Sequence, residues 1–411
     1  MCAICGIVRF DDSPVDAALL TAMRDVMAHR GPDHAGLWVN GHAGLGHRRL
    51  AVIDLSERGH QPMTDERETI ADTFNGEIYN FIELRRLLEG RGYVFRSRSD
   101  TEVIVHGYDA WGDEVVPRLD GMFALAIYDR RPGRDRLLVA VDRFGKKPLY
   151  IWRSGTTVRF ASDTKAFWSL PGAALTVDHG AVDCYLHHLA VTNEHSIYRE
   201  VETLRPAHYA TFERRGAEVR CHDTRYWRPH FRDKITVSEG EALERIDVAL
   251  REAVRKRLIA DVPLGAFLSG GVATSLVVAM MSQLSSGPVN TFSVDFAEQD
   301  FSEQQYASQV ARRYGTTHQA IRVESDVLRT LPSLVWECGQ PFADSAPVPT
   351  YYVSKAAKDF VTVALTGDGG DEQFGGYDIA RASFYAALYD RLIPAGPRRG
   401  LERWLFARER T

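Results

Sequence analysis

The chain has 411 residues and a formal net charge of -5, with 45% hydrophobic and 26% charged residues. This composition is that of an ordinary globular protein, and so mild a charge excludes the basic surface that nucleic acids require. No apolar run approaches the roughly 20 residues that span a bilayer, and the N-terminus lacks the basic start and apolar stretch of a signal peptide. We therefore expect a cytoplasmic protein of two domains that binds neither nucleic acid nor membrane.

Short strand patterns dominate the first part of the chain, and helical patterns interrupt them. The clearest predicted strands are 4–10, 44–52, 69–74, 122–128 and 137–141. The predicted helices between them are 15–28, 80–90 and 100–111. This pattern predicts an α+β domain over residues 1–206, in which sheets are sandwiched with helices.

Residues 207–237 have a different character and are predicted to form a connection that begins with a hairpin. Ser238 and Glu241 then form a capping box ahead of an amphipathic helix. From there strands alternate with helices, the predicted strands being 265–268, 291–296, 318–323 and 361–365, and the predicted helices 275–283, 302–314, 326–336 and 351–358. Such alternation predicts an α/β domain with a parallel sheet over residues 238–411. Its ligands are expected at the carboxyl ends of the strands.

Five cysteines stand at positions 2, 5, 184, 221 and 338, an odd and scattered set that does not suit a disulfide framework. Cys2 and Cys5 have the spacing of half a zinc or redox site, but no second Cys-x-x-Cys pair answers it. Methionine before a small residue is usually removed, which would leave Cys2 with a free α-amine. An α-amine has a pKa of about 7.7 to 8.0 and can accept the proton of the thiol on the same residue. The alternative is a small apolar residue near the chain end.

Five further segments accompany Cys2, and each combines polar or charged residues with a turn or a strand end. They are His29-Arg30-Gly31-Pro32-Asp33, Gly46-His47-Arg48-Arg49-Leu50, the turn predicted at Phe74-Asn75-Gly76-Glu77-Ile78-Tyr79-Asn80, Ser99-Asp100-Thr101-Glu102, and Asp142-Arg143-Phe144-Gly145-Lys146-Lys147-Pro148-Leu149-Tyr150. Together they resemble the glutaminase domain of class II amidotransferases, which is of the N-terminal-nucleophile type. The resemblance is strongest to asparagine synthetases of the B type.

The resemblance implies that Cys2 attacks the side-chain amide of glutamine, which releases ammonia and leaves a glutamyl thioester. It places the oxyanion at Asn75 and the Gly76 N–H, the kind of donor pair that stabilises a developing negative charge. It also implies a glutamine-binding set whose arginine holds the α-carboxylate and whose carboxylates hold the ammonium. This set is Arg49, the backbone near Ile53, Asn75, Gly76, Glu77 and Asp100. For Arg49 and Asp100 the alternative is an exposed ion pair.

A second candidate site begins at Ser269-Gly270-Gly271, where a predicted strand passes through a glycine-rich loop into a helix that contains Ser275. Backbone N–H groups in such a loop suit an anion, although neither common phosphate fingerprint is present. A plain strand-to-helix turn is the alternative. A second glycine-rich loop, 366–377, is acidic and follows the last predicted strand.

These two loops resemble those of the ATP-pyrophosphatase domain of the same synthetase family. The resemblance implies ATP and Mg²⁺, with Asp371 binding the metal and Asp368 facing the acceptor. The residues implied to bind pyrophosphate are Ser269, Gly270, Gly271 and Ser275. Those implied to contact adenosine are Phe267, Leu268, Val294, Thr366 and Gly367.

Three features depart from the family pattern. Ala273 stands where the family usually has an aspartate that helps to hold Mg²⁺, and Gly339 and Gln340 stand where relatives often have an acidic pair. The chain also ends early relative to the family and lacks a match to its C-terminal phosphate-binding lysine. Ala273 is therefore interpreted as an engineered or a natural loss. The early end is interpreted as a truncation or as a site that a partner or a homodimer completes.

The predicted function is that of a glutamine-hydrolysing amidotransferase that passes ammonia to an ATP-activated carboxylate, as in asparagine synthesis. Its partners would be the small molecules glutamine, ATP and a carboxylate acceptor, either aspartate or another acid. One alternative is a glutaminase with a degenerate synthetase domain that feeds ammonia to a partner. Another is a regulatory or scaffold protein without turnover. A ring-closing synthetase is disfavoured because Cys2 and its pocket residues are all present.

Overall fold

The structure is a computed structural model that describes residues 1–192, 195–296, 303–323, 327–394 and 396–398. It contains two compact units. The first comprises the described residues of Met1–Pro263 and Glu324–Val363, and the second those of Leu264–Val323 and Ala364–Thr411. The domain boundaries given above stay a prediction. None of the helices in the described residues has both the length and the apolar character needed to cross a bilayer.

Two six-stranded sheets form the centre of the first unit, and every pair of neighbouring strands in them is antiparallel. With strands numbered along the chain, the first sheet has the order β10 (Val201–Thr203), β8 (Tyr150–Ser154), β9 (Thr157–Ala161), β1 (Ala3–Arg9), β3 (Ala43–Arg49) and β2 (His34–Asn40). The second has the order β12 (Glu218–Arg225), β11 (His208–Arg215), β7 (Arg136–Val141), β6 (Gly121–Asp129), β5 (Ile70–Ile78) and β4 (Met63–Thr64).

Helices cover the outer faces of these two sheets. The helices of the first unit are α1 (Ala17–Asp25), α2 (Phe81–Glu89), α3 (Glu102–Trp111), α4 (Val115–Arg118), α5 (Lys165–Trp168), α6 (His179–His188), α7 (Glu239–Arg257), α10 (Val327–Cys338) and α11 (Pro347–Ala357). One core cluster lies between the sheets, a second between β5–β7 and α2–α4, and a third between β1 and α1 with α5. The unit is therefore a sandwich of two sheets between helical layers, which confirms the predicted α+β class.

The alternation of side chains along β1 and β5 explains the three cores, because successive residues of a strand point to opposite faces. Ile4 and Val8 of β1 belong to the core between the sheets, whereas Cys5 belongs to the core under α1. Along β5, Ile70 and Phe74 face the helices. Cys5 is thus a buried apolar side chain, as its strand position requires.

A four-stranded sheet of the order β15 (Thr317–Val323), β14 (Asn290–Phe296), β13 (Leu264–Phe267) and β16 (Val363–Leu365) forms the centre of the second unit. The β13–β14 and β14–β15 pairs are parallel, which confirms the predicted α/β class. The helices of this unit are α8 (Val272–Leu284), α9 (Gln304–Tyr314), α12 (Gly370–Phe374) and α13 (Asp378–Leu392). The first residue of the helix predicted at 302–314 and that of the helix predicted at 326–336 lie outside the described residues.

The structure corrects one prediction that bears on the site. The strand predicted to end at Phe74 continues to Ile78, so Asn75, Gly76 and Glu77 lie within β5 and not in a turn. They pair in register with Ala124, Phe123 and Met122 of β6, respectively. Glycine and asparagine are turn formers in isolation, but the buried apolar face of β5 and its partner strand override that preference.

Candidate active site

Cys2 lies immediately before β1, and its sulfur is held by the residue that follows β3. The Leu50 N–H donates to the Cys2 Sγ at 3.4 Å, and the thiol is directed at the Leu50 carbonyl oxygen at 3.6 Å. Arg30 donates from Nε to the Cys2 carbonyl at 3.4 Å. Burial raises the pKa of the Cys2 thiol. A neutral thiol is a poor nucleophile, so this sulfur needs a base beside it.

The terminal amine of Met1 is a candidate base that interacts electrostatically with the Cys2 thiol. Burial lowers the pKa of the Met1 amine to about 6, and the charges of Arg30 and Lys147 act in the same direction. The thiol of Cys2 and the Asp33 carboxylate act in the opposite direction. This end of the chain therefore favours an unprotonated amine near neutral pH, which is the form that can accept a proton from the sulfur.

Arg49 is the last residue of β3, and carbonyl groups of the following loop fix its guanidinium. Its Nη1 donates to the Ser56 carbonyl at 3.1 Å, and its Nη2 donates to the carbonyls of Ile53, at 3.2 Å, and Asp54. The side chain of Arg49 is only 5% exposed, as is that of Asp100. The charges of Cys2 and Asp100 both act on the pKa of Arg49, which places these groups within electrostatic reach of each other. Burial excludes the alternative of an exposed ion pair.

Within the described residues, the edge of β5 carries an unused backbone donor between two used ones. The Phe74 N–H donates to Gln61 Oε1 at 2.7 Å, and the Ile78 N–H donates to Asp100 Oδ2 at 2.9 Å. The Gly76 N–H lies between them on the same edge, because alternate residues of a strand direct their amides to the same side. Gly76 is paired with Phe123 of β6. Phe123 uses its N–H and its carbonyl for hydrogen bonds with Asp142 and not with Gly76. Gly76 therefore directs its N–H away from β6.

Asn75 supplies a second unused donor. Its side chain is 1% exposed, and its Nδ2 has no hydrogen-bond partner among the described residues. A buried donor without a partner costs about 1–3 kcal/mol. This arrangement suits a site that receives an acceptor atom from a ligand. The Gly76 Cα leaves no room for a side chain, since a Cβ there would stand 2.0 Å from the Met122 carbonyl oxygen.

Two carboxyl groups near the sulfur hold their protons more tightly than usual. Burial raises the pKa of Asp100 to about 6. Burial also raises the pKa of Glu77 to about 7, and the Asp100 charge acts in the same direction, whereas Lys147 and Arg257 oppose it. Two acids so placed become good ligands for a cation that enters between them, because its charge favours their ionised forms.

The segment that carries Gly339 and Gln340 belongs to the first unit. Gln340 accepts from the Ile197 N–H at 2.8 Å and donates to the Tyr150 hydroxyl at 2.9 Å. Gly339 has a φ of 70°, and a Cβ on it would stand 2.7 Å from Asp163 Oδ1. An aspartate at position 339 would be strained and would approach another carboxylate, which explains the glycine found there.

The second unit forms the glycine-rich loop at the end of β13. Gly270 has a φ of 87° and lies so close to α9 that a Cβ would stand 2.5 Å from the Tyr306 Cβ, so only glycine fits there. Ser269 Oγ accepts from the Gly271 N–H at 3.2 Å. The buried Ser275 Oγ has no partner in the described part of the chain. Loop amides, a helix N-terminus and a free hydroxyl together suit a phosphate group.

The loop after β16 meets the beginning of α8 at Ala273. A Cβ on Gly367 would stand 3.0 Å from the Ala273 Cβ, and one on Gly370 would stand 2.9 Å from it. Thr366 Oγ1 donates to Asp368 Oδ2 at 2.8 Å. The structure thus brings the predicted pyrophosphate loop and the predicted acidic loop into contact. The remaining predicted adenosine contacts are on the same sheet, with Phe267 ending β13, Leu268 directly after it, and Val294 in β14.

Two basic residues of the first site were not assigned a role from the sequence, although both lie in motifs that carried the resemblance. These are Arg30, which binds the Cys2 carbonyl, and Lys147, which lies beside the chain terminus. A sequence motif does not show which of its charged side chains is buried without a carboxylate partner. That property was the missing signal for Lys147.

Comparison with known proteins shows the family of both parts of the chain. A family model described as a glutamine amidotransferase domain matches residues 1–227, and one described as asparagine synthase matches residues 245–410. The chain is 35% identical over 403 residues to asparagine synthetase (glutamine-hydrolyzing) 1 of Bacillus subtilis, a match that covers 96% of this chain. It is also 35% identical over 421 residues to a protein provisionally named glutamine-hydrolysing asparagine synthetase 2 in Methanocaldococcus jannaschii, covering 96% of this chain and 79% of that protein.

The chain belongs to the glutamine-hydrolysing asparagine synthetase family. This membership confirms the resemblance that the motifs indicated, for both parts of the chain. The chain spans 62% of the length of the Bacillus subtilis synthetase 1 and 63% of that of synthetase 3 from the same organism.

Proposed function

We propose that this synthetase-family chain hydrolyses glutamine at Cys2 once Met1 has been removed. The amine of Cys2 takes the thiol proton, and the thiolate attacks the side-chain carbonyl carbon of glutamine. The carbon–nitrogen bond then breaks, and the departing nitrogen takes up a proton and leaves as ammonia. Water next cleaves the thioester and gives glutamate. The observation that carries this proposal is the half-buried Cys2, whose sulfur lies beside Leu50 and within electrostatic reach of Arg49 and Asp100.

Each polar residue of the pocket receives a role that matches its environment. Arg49, already fixed by three carbonyl groups, binds the α-carboxylate of glutamine, with the Ile53 backbone at its side. Asp100 and Glu77 bind the α-ammonium. The unpartnered Asn75 Nδ2 and the outward Gly76 N–H stabilise the oxyanion. Glutamine therefore complements the site, because it has a planar amide at one end and both a carboxylate and an ammonium group at the other.

The second unit supports a further step, in which ATP activates a carboxylate and ammonia displaces AMP from the acyl-adenylate. Activation is needed because a carboxylate at neutral pH is a poor acyl donor. Ser269, Gly270, Gly271 and Ser275 would bind the pyrophosphate part of ATP. Phe267, Leu268, Val294, Thr366 and Gly367 would contact its adenosine part. The match to asparagine synthase supports this assignment.

Magnesium would be held by Asp371 and by the phosphates of ATP, and it would neutralise their charge. This fits the preference of Mg²⁺ for few carboxylates together with phosphate oxygens. Asp368 would face the acceptor carboxylate, which is aspartate or a related acid. A homodimer, or a partner that completes the second site, is part of this proposal, as is a location in the cytoplasm.

A product assay tests the proposal. The purified chain is supplied with glutamine, with and without ATP-Mg²⁺ and a panel of carboxylates, and the products are identified by mass spectrometry. We expect glutamate and ammonia in every case, and an amide with AMP and pyrophosphate when the right carboxylate is present. Intact mass of the chain shows whether it begins at Cys2.

A second candidate function is favoured by Ala273. A glutaminase whose synthetase half has lost a metal ligand would release ammonia for a partner enzyme. Its signature is glutamate release at a normal rate without any pyrophosphate release from ATP.

A further inference from the structure

The ammonium group of Lys147 is buried without a carboxylate partner. The residue is 6% exposed, and in the described part of the chain no carboxylate oxygen lies within 4.0 Å of its Nζ. Its polar contact is the thioether of Met1, with Nζ 2.8 Å from Sδ. A buried charge without a counter-ion is costly and is retained where it serves a function.

The surrounding chain fixes this charge in place. Asp142 begins the segment 142–150 that contains Lys147, and both of its carboxylate oxygens accept backbone N–H groups. Its Oδ1 accepts from Phe144 and Lys146. Its Oδ2 accepts from Phe123 and Lys147. Its carboxylate is therefore committed to the backbone, while the Lys147 side chain extends toward the chain terminus. Lys147 is a positioned cation and not one half of a salt bridge.

Charged and titratable groups from several elements face this region. Burial lowers the pKa of Lys147, and Arg30 acts in the same direction, whereas Glu77, Cys2 and Asp142 oppose it. The terminal amine is influenced by Lys147 and Arg30 in one direction and by Cys2 and Asp33 in the other. Lys147 and Arg30 thus both act on the terminal amine of Met1, and the charge of Cys2 acts on each of them. Arg30 already donates a hydrogen bond from its Nε to the Cys2 carbonyl.

We propose that Lys147 is a positioning residue for glutamine hydrolysis, whose buried positive charge beside the chain terminus adds to burial and to the charge of Arg30 in disfavouring the protonated α-amine of the processed Cys2. The inference rests on the proposed function, because it concerns the same base. A nearby cation disfavours the protonated amine and so lowers its pKa. Removal of the lysine charge therefore raises the pKa of the amine, and the base is lost at a higher pH than before.

The test is the pH profile of kcat for glutamine hydrolysis in the full chain and in Lys147→Met, Lys147→Arg and Lys146→Met, measured at saturating glutamine because the titration of Asp100 and Glu77 acts on KM. Lys146 is the exposed neighbour and provides a matched control for loss of one lysine charge. We expect the acidic limb of Lys147→Met to move to higher pH by roughly one unit, the order of shift that a neighbouring charge produces. The alkaline plateau should change less. Lys147→Arg should restore the limb, and Lys146→Met should match the unmodified chain.

A second measurement separates the role proposed for Lys147 from the proposed hydrolysis of glutamine. The rate of acylation of the terminal amine is followed as a function of pH by mass spectrometry of the N-terminal peptide, since lysine amines and the Cys2 thiol also react. This rate reports the pKa of the amine without any turnover. An unchanged acylation profile and an unchanged acidic limb in Lys147→Met would overturn the inference, even if the chain hydrolyses glutamine well. If Lys147→Met does not fold, Lys147→Gln takes its place in both measurements. Absence of glutaminase activity in the unmodified chain would contradict the proposed function, while the acylation profile would still decide the role of Lys147.

Discussion

The sulfur of Cys2 accepts a hydrogen bond from the Leu50 N–H at 3.4 Å, one residue after the arginine that ends β3. Because β1 and β3 are neighbouring antiparallel strands, the first residues of β1 lie beside the last residues of β3. The chain terminus and Arg49 are thereby brought together by strand pairing alone. The proposed nucleophile and the proposed carboxylate-binding group are thus placed side by side on rigid elements.

The two carboxyl groups near this sulfur predict how glutamine binding depends on pH. With pKa values raised to about 6 for Asp100 and about 7 for Glu77, each group is neutral below its own value and charged above it. In the proposed mode of binding, the ammonium of glutamine binds the charged forms. We therefore expect KM for glutamine to rise as the pH falls from 8 to 5.5, with a smaller change in kcat. Steady-state kinetics over that range would check this, and a KM independent of pH would contradict it.

Asp100→Asn should remove most of that dependence. Because the amide cannot ionise, KM should be raised tenfold or more at pH 8, about the energy of one lost charge-assisted contact. Its pH dependence should be weaker than in the unmodified chain. Asp113→Asn is a control of the same chemistry, since Asp113 pairs with Arg136 away from the pocket residues.

Arg49 should tolerate no conservative replacement. Arg49→Lys keeps the positive charge but loses the planar group that three loop carbonyls fix and that matches a carboxylate with two parallel bonds. We expect KM for glutamine to rise by roughly 10- to 100-fold, as for the loss of about 1.4–2.8 kcal/mol of binding energy. Arg58→Lys, at an exposed position of the same loop, should leave KM unchanged. Equal effects of the two substitutions would contradict the assignment.

Gly76→Ala tests the close approach of β5 and β6. The added methyl would meet the Met122 carbonyl oxygen, and overpacking of this kind costs about 1–3 kcal/mol. We expect a Tm lower by several degrees and a large loss of glutamine hydrolysis, because the Gly76 N–H would shift with its strand. Gly240→Ala is the matched control, since a Cβ on Gly240 would meet no atom within 4 Å. Thermal unfolding and activity of both variants are compared.

Ala273→Asp tests the second site. The substitution adds a carboxylate beside the loop that carries Asp368 and Asp371, and an additional oxygen ligand should strengthen Mg²⁺ binding to the ATP complex. We expect pyrophosphate release from ATP and a carboxylate to increase at least tenfold and to need less Mg²⁺. Ala380→Asp adds the same charge at an exposed position of α13 and should have no such effect. Identical rates for both variants would favour the glutaminase with an inactive synthetase half.

Much of the fold could be predicted from local patterns. The apolar runs of β1 and β5 and the helical spacing in α7 predict these three elements, and the structure shifts their ends by a few residues. The α7 spacing did not predict burial, since Leu243 is 60% exposed. The extension of β5 to Ile78 was missed because Asn75 and Gly76 favour turns locally, and only pairing with β6 keeps them extended. Tertiary contacts of this kind leave no local signal.

The candidate site likewise has residues that motifs predict and others whose roles depend on the packed structure. The roles of Cys2, Arg49 and Asp100 were proposed from motifs that carry the family resemblance, and they stay a prediction. The role proposed for Lys147 depends on its burial and on the commitment of Asp142 to backbone amides, which are properties of the packed structure. Likewise, Gln340 was interpreted only as the loss of an acid, whereas its amide binds Ile197 and Tyr150.

Glutamate release from glutamine by the unmodified chain and by Cys2→Ala is the most direct measurement of the central claim, made on protein whose intact mass shows Cys2 as the first residue. The account predicts steady release by the unmodified chain and none above background by Cys2→Ala, with the same Tm for both. Equal release by both proteins, or none by the correctly processed chain, would contradict it.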